Sequence, residues 1–144
     1  MIATRFSVAT HIMLLMTLEP ASRLTSPRLA GSVNTNPVVV RRIMRLLSHA
    51  GLVRVRRGQG GAALGRPPSR ISLDDVWLAV NPVRLPLLPL HANPDPECPV
   101  GRHVPSIFGE RFGAAEIAMR DALAAITLEA IAMQISKATK AIAG

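Results

Sequence analysis

The sequence predicts a mainly α-helical fold with one small β-hairpin, arranged as a basic helical head, a proline-rich connection and a long C-terminal helix. Two of the observations behind this are patterns. Apolar residues recur three and four positions apart through most of the 144 residues, and one alternating run flanks a glycine-rich turn. The third is charge: residues 1–70 hold eleven arginines against one acid, Glu19, whereas 71–144 hold six lysines or arginines against eight carboxylates. A chain of this length that is 49% hydrophobic can bury one real core.

Residues 5–18 read as a first helix, with Phe6, Ala9, Met13 and Met16 on one face and Pro20 ending it. Thr25 or Ser26 caps a short second helix through Leu29 and Ala30 towards Ser32, with Pro27 in its first turn. After a tight connection at 34–36, Asn36-Pro37 starts a third helix, and Gly51 supplies the left-handed residue that stops it. Val40, Ile43, Met44 and Leu47 follow the i, i+3, i+4, i+7 pattern and face the core, which leaves Val38, Arg41, Arg42, Arg45, Ser48 and His49 outside. Residues 52–56 alternate as a strand, 57–61 (RGQGG) turn, and 62–64 return. Ser72 and Asp75 form a capping box for a fourth helix, Leu73 to Val80, in which Trp77 anchors the core.

Six of the twelve prolines fall in 81–102, which forbids regular structure there. Beyond it, Phe108, Phe112, Ala115, Met119, Ala122 and Ile126 alternate steps of four and three, a heptad seam on one long helix from near Pro105. Such a seam fits either a second copy or the chain's own head, and its two alanines allow close approach. Glu116 and Arg120 are spaced for an i, i+4 pair on its flank. Thr127 caps a last short helix from Leu128 to about Ile135, with 137–144 expected as a frayed end. The expected division is therefore 1–80 for the basic head, 81–102 for a hinge loop, and 103–144 for dimerisation.

A head of net charge +10 on a tail of −2 points to a polyanionic partner, and cations that are all arginine suit phosphate and base recognition. Two short helices, a tight connection and a helix with three exposed arginines form the helix-turn-helix arrangement, in which the later helix enters the major groove of double-stranded DNA. The hairpin after it reads as a wing. The fold class is thus mainly α with a small β-wing, a winged helix-turn-helix head followed by a long C-terminal dimerisation helix.

Other classes fit less well. The glycine-rich turn is not fed by a buried strand and lacks Gly-Lys-Ser/Thr, so it is no nucleotide cradle. RNA binding wants exposed aromatics for stacking, and the three Phe and one Trp fall at core or seam positions. The apolar run 6–18 is broken by His11 and lacks a cleavage pattern, and no stretch is long enough for a membrane helix, so the expected location is the cytoplasm. The single cysteine, Cys98, agrees with a reducing compartment. Cys98 with His103 lacks an orienting group for nucleophilic catalysis, and His91, Cys98 and His103 match no metal-ligand spacing. Asp95 and Glu97 are expected to raise the Cys98 pKa, leaving His103 as its only close activator. Cys98 is either an inert thiol or, from its hinge position, a signal input.

The segments 32–42 (SVNTNPVVVRR) and 50–53 (AGLV), the wing 57–61, Arg66-Pro67-Pro68, 71–73 (ISL), 93–101 (NPDPECPVG) and 126–128 (ITL) together resemble the Rrf-two family of bacterial winged-helix regulators, over nearly the whole chain. The resemblance implies a homodimer joined by the long C-terminal helix and a head that binds DNA. It also implies that Val38, Val39, Arg41 and Arg42 read the operator, while Arg57 and Gln59 reach the minor groove. Arg45, on the same outer face, joins them in contacting guanine edges or phosphates. Iron–sulfur members of the family use three cysteines before the dimer helix, whereas this chain has only Cys98, which implies a cluster-free branch with no cofactor. An inverted-repeat operator and repression are the expected mode. A non-specific basic nucleic-acid binder and a heterodimeric subunit are the alternatives.

Overall fold

The computed structural model describes residues 1–56 and 61–144. Helix α1 runs Ile2–Leu18, starting earlier than expected because nothing in residues 2–5 breaks a helix and the Arg5 amide already bonds the Met1 carbonyl. Ala9, Ile12, Met13 and Met16 are its buried face, and Phe6 is half-buried. A 3-10 turn at Ala21–Arg23 leads to α2, Ser26–Val33, whose cap is Thr25: its hydroxyl accepts from the Arg28 amide. Asn34 ends α2 in the left-handed region at φ 58°, a conformation asparagine tolerates better than most residues.

Helix α3 spans Pro37–His49 and buries the four residues its periodicity singles out, Val40, Ile43, Met44 and Leu47. The Asn36 side chain accepts from the Val38 amide at 2.8 Å, and Gly51 turns the chain out at φ +74°. Removing that cap by Asn36→Ala is expected to cost about 1 kcal/mol. The effect should read as a lower urea midpoint at unchanged slope, and an unchanged midpoint would show that tertiary packing alone fixes the start of α3.

Strand β1 (Val53–Val55) pairs antiparallel with β2 (Ala62–Leu64), with Val53 opposite Leu64 and Val55 opposite Ala62. Gly65 closes the hairpin against α3: its amide donates to the Leu52 carbonyl, and a Cβ there would sit 2.1 Å from the Gly51 oxygen, so no other residue fits. A 3-10 turn at Pro68–Arg70 precedes α4, Leu73–Val80. Its capping box forms in both directions, the Asp75 amide to Ser72 Oγ at 3.1 Å and the Ser72 amide to Asp75 Oδ2 at 2.8 Å. Trp77 is buried and meets the Phe6 ring edge-on at 5.5 Å, joining α4 to α1. Arg5 reaches across to the Val80 carbonyl, one of the acceptors that the end of α4 leaves free.

From Asn81 to Val100 the chain is irregular, as its prolines require. Asn81 is buried and pairs both ways with the Leu85 backbone, so its amide loses no hydrogen bonds. The expected start of the long helix near Pro105 is a π-helical turn, Val104–Phe108, and the α-helix proper, α5, runs Gly109–Ala124. Ile126 consequently lies beyond the helix. Its carbonyl accepts from the Leu73 amide, and Thr127 bridges Ser72, which ties the end of α5 to the start of α4.

Two further expectations are corrected. Arg120 does not pair with Glu116 but forks onto Asp74 of α4 at 2.9 and 3.0 Å, while Glu116 accepts from the Leu87 amide at 3.1 Å. A rigid cross-helix partner outcompetes an exposed i, i+4 neighbour because the guanidinium can bond both carboxylate oxygens at once. Helix α6 does not fray at Ile135 but continues from Leu128 to Ala143. Alanines 138, 141 and 143 are strong helix formers, and nothing breaks the run before Gly144. Leu128 is fully buried and belongs to the same core as α1, α3 and α4. Among the described residues, no helix is long and apolar enough to cross a membrane.

Candidate nucleic-acid interface

The outer face of α3 presents Val38, Arg42, Arg45 and His49 at i, i+4, i+7 and i+11, a single stripe directly opposite the buried side. All four are exposed. Arg41 and Ser48 flank the stripe towards the hairpin, and Val39, 42% exposed, flanks it on the other side. Arg41, Arg45, Ser48 and His49 face Arg56 of the hairpin and Thr25-Ser26 at the start of α2 across an open cleft of about 530 Å³.

Electrostatically this face is uncompensated among the described residues. Glu19, the only acid of the first seventy residues, is taken by Arg28, and the other ion pairs are Arg66–Asp75 and Arg120–Asp74. Arg41, Arg42, Arg45, Arg54 and Arg56 are left with their full charge towards solvent, which is the footprint a polyanion requires. Thr25 and Ser26 were not legible as residues of this cleft. Their signal is positional, since the start of a helix exposes free amides, and that needs the three-dimensional juxtaposition. Arg57 and Gln59 of the wing lie outside the described residues.

The seam residues sit on an open surface. None of the residues of α5 is buried. Phe108, 39% exposed, and Phe112 lie with ring centroids 5.5 Å apart, Ala115 and Ala122 are exposed, and Met119 is half-buried. Ile126, also exposed, follows the helix rather than completing it.

Cys98 is half-buried in the 95–103 loop. The expectation for its thiol is reversed: the Gly101 and Val100 amides hold its pKa below the ordinary thiol value, and burial opposes them more weakly. The loop around Cys98 is closed by local hydrogen bonds. Asp95 Oδ1 accepts from the Glu97 amide, its carbonyl accepts from the Cys98 amide, and Arg102 donates back to Cys98 through its backbone and to the Pro96 carbonyl through Nε.

A family model, Rrf2 (Iron-dependent Transcriptional regulator), matches residues 2–134. The chain belongs to the Rrf2 family. YwnA of Bacillus subtilis (strain 168), assigned as an HTH-type transcriptional regulator, is 40% identical to this Rrf2 protein over 129 residues, 90% of this chain and 95% of YwnA. A crystal structure of a protein assigned as DNA-binding is 36% identical, with a TM-score of 0.71 over 88% of this chain and 97% of its own. The oxidized form of CymR from Staphylococcus aureus, at 22% identity, shares the fold alone, with a TM-score of 0.67 over 92% and 95% of the two chains. This Rrf2 protein is a DNA-binding helix-turn-helix transcriptional regulator and not an enzyme, so pairing Cys98 with His103 for catalysis has no place in its account.

Proposed function

We propose that this Rrf2 regulator represses transcription in the cytoplasm by binding an inverted-repeat operator as a homodimer. The observation that carries the reading is the stripe Val38, Arg42, Arg45 and His49, opposite the core and without carboxylate partners among the described residues. In this reading Arg41, Arg42 and Arg45 bind guanine edges or phosphates, Val38 and Val39 press on thymine methyl groups, and Arg54, Arg56, Arg57 and Gln59 hold the backbone and the minor groove. Residues 1–80 act as the DNA-binding unit, 81–102 as the hinge, and 103–144 as the dimerising part. Phe108, Phe112, Ala115, Met119, Ala122 and Ile126 form the contact between copies, which sets half-sites about 34 to 36 Å apart.

An iron–sulfur cluster does not fit the donor set. One cysteine per chain brings two to a dimer, against the four thiolates such clusters normally take. We infer that the regulator carries no such cluster and that Cys98, in the hinge, is its signal input. Because two backbone amides favour the thiolate, Cys98 is expected to react with iodoacetamide at pH 7 faster than free cysteine does. A rate equal to or below that of free cysteine, followed by mass spectrometry, would remove the signal role.

The test of the whole reading is binding of the purified protein to its own upstream DNA and to a scrambled duplex between roughly 50 and 200 mM salt. Six to ten phosphate contacts predict a loss of about 10³ to 10⁵-fold in affinity across that range. A preference for the upstream DNA that survives near-physiological salt supports the regulator. Equal binding to both duplexes, abolished by salt, would leave a non-specific basic protein.

A further inference from the structure

We propose that the cleft between α3, the hairpin and the start of α2 binds a small aromatic carboxylate, and that this ligand and the operator exclude one another. The inference rests on the operator-binding reading and names a regulator of that same face, separate from Cys98. The cleft, about 530 Å³, falls within the roughly 300 to 1,000 Å³ of ordinary small-molecule sites. Its two halves differ in chemistry. Leu24, Leu29, Met44 and Ala62, all core residues, line it as an apolar floor, and Val55, 57% exposed, adds a wall from β1. Arg41, Arg45 and His49 of α3 and Arg56 of the hairpin, all exposed, form the rim together with Thr25, Ser26 and Ser48.

Charge and shape together select the ligand. Among the described residues no carboxylate lines the cleft, so the guanidinium groups of Arg41, Arg45 and Arg56 face one space without a counter-charge, and an anion bound among them offsets their mutual repulsion. Arg41 and Arg45 are i, i+4 neighbours, close enough for one planar carboxylate to accept from both. A free phosphate or the DNA backbone would satisfy the same cations but has nothing to lay on the floor. An aromatic ring does: it covers Leu24, Leu29 and Ala62, takes that apolar surface out of water, and meets the thioether of Met44, a contact that sulfur favours. Ring and carboxylate in one rigid body use both halves of the cleft at once. Arg41 and Arg45 are also the groups assigned to guanine edges or phosphates. They cannot serve both partners, so the bound ligand lowers operator affinity.

The test uses the full chain labelled with carbon-13 in its methionine methyl groups, with 2-naphthoate as the probe and the uncharged 2-naphthamide as its control. The Met44 signal is assigned by its loss in Met44→Leu. Naphthoate is expected to shift that signal progressively and to leave those of Met119 and Met133, which do not line the cleft, in place. Naphthamide should bind about tenfold more weakly, and so should naphthoate to Arg45→Gln, because each change removes a charge-assisted hydrogen bond. In anisotropy on the upstream duplex, naphthoate at about ten times its own Kd should weaken DNA binding about elevenfold, the factor that simple competition gives. A Met44 signal that stays in place at millimolar naphthoate, in a protein that prefers its upstream DNA, would overturn the site and leave the operator reading standing. Equal affinity for naphthoate and naphthamide would overturn the carboxylate class, and a Met44 shift that leaves DNA affinity unchanged would overturn the exclusion. A carboxylate-selective shift in a protein with no preference for its upstream DNA would overturn the operator reading, and the competition with it, while the site itself stood.

Discussion

Replacing Arg42 and Arg45 together by alanine is expected to weaken binding to the upstream DNA by about 30- to 10⁴-fold while leaving the fold unchanged. The lower figure takes each arginine at about 1 kcal/mol and the upper at about 3 kcal/mol, the range for a bidentate guanine contact. Both side chains are exposed on the face opposite Val40, Ile43, Met44 and Leu47, so no core contact is lost. Binding to a scrambled duplex should fall much less if the arginines read bases, and by the same factor if they only hold phosphates. In the second case the salt slope should also drop by about one for each contact removed. Fluorescence anisotropy on both duplexes at three salt concentrations separates the two, and a loss below threefold on the upstream DNA would take α3 out of the interface.

The head was legible because its signals are local and agree with one another. Asn36-Pro37 at one end of α3 and Gly51 at the other leave little choice of register, and the four apolar residues between them then have one face to occupy. The capping box at Ser72 and Asp75 is equally self-contained. What the sequence misassigned depends on distant partners. The fork of Arg120 onto Asp74 joins residues 46 apart in the chain, and the thiol of Cys98 takes its environment from a backbone turn rather than from the carboxylates written beside it. The length of α6 failed for a different reason. Two lysines and a threonine in 137–140 read as a polar tail, whereas on an already nucleated helix each further residue adds a hydrogen bond at little cost. The cleft that unites Thr25, Ser26 and Arg56 with α3 required the packing of three elements and left no trace in any one of them.

If the protein is the homodimer proposed above, a single substitution in the middle of α5, Ala115→Arg, is expected to convert it to a monomer and to cut its affinity for an intact inverted repeat by about 10² to 10⁴-fold. Ala115 is exposed in the single chain, so the arginine meets water there and the fold of each copy is unaffected. In the proposed dimer it would place two like charges and two long side chains where small residues allow close approach. The operator effect follows from linkage rather than from any lost DNA contact. In the dimer, binding of one head holds the second at a high effective concentration near its half-site, and that advantage disappears when the copies separate. A duplex carrying one half-site should therefore be bound equally by the variant and the parent protein. Light scattering gives the mass, and anisotropy on one-site and two-site duplexes gives the ratio. A variant that is monomeric yet binds the inverted repeat as tightly as the parent would show that each head acts alone, and one that remains a dimer would move the contact away from the centre of α5.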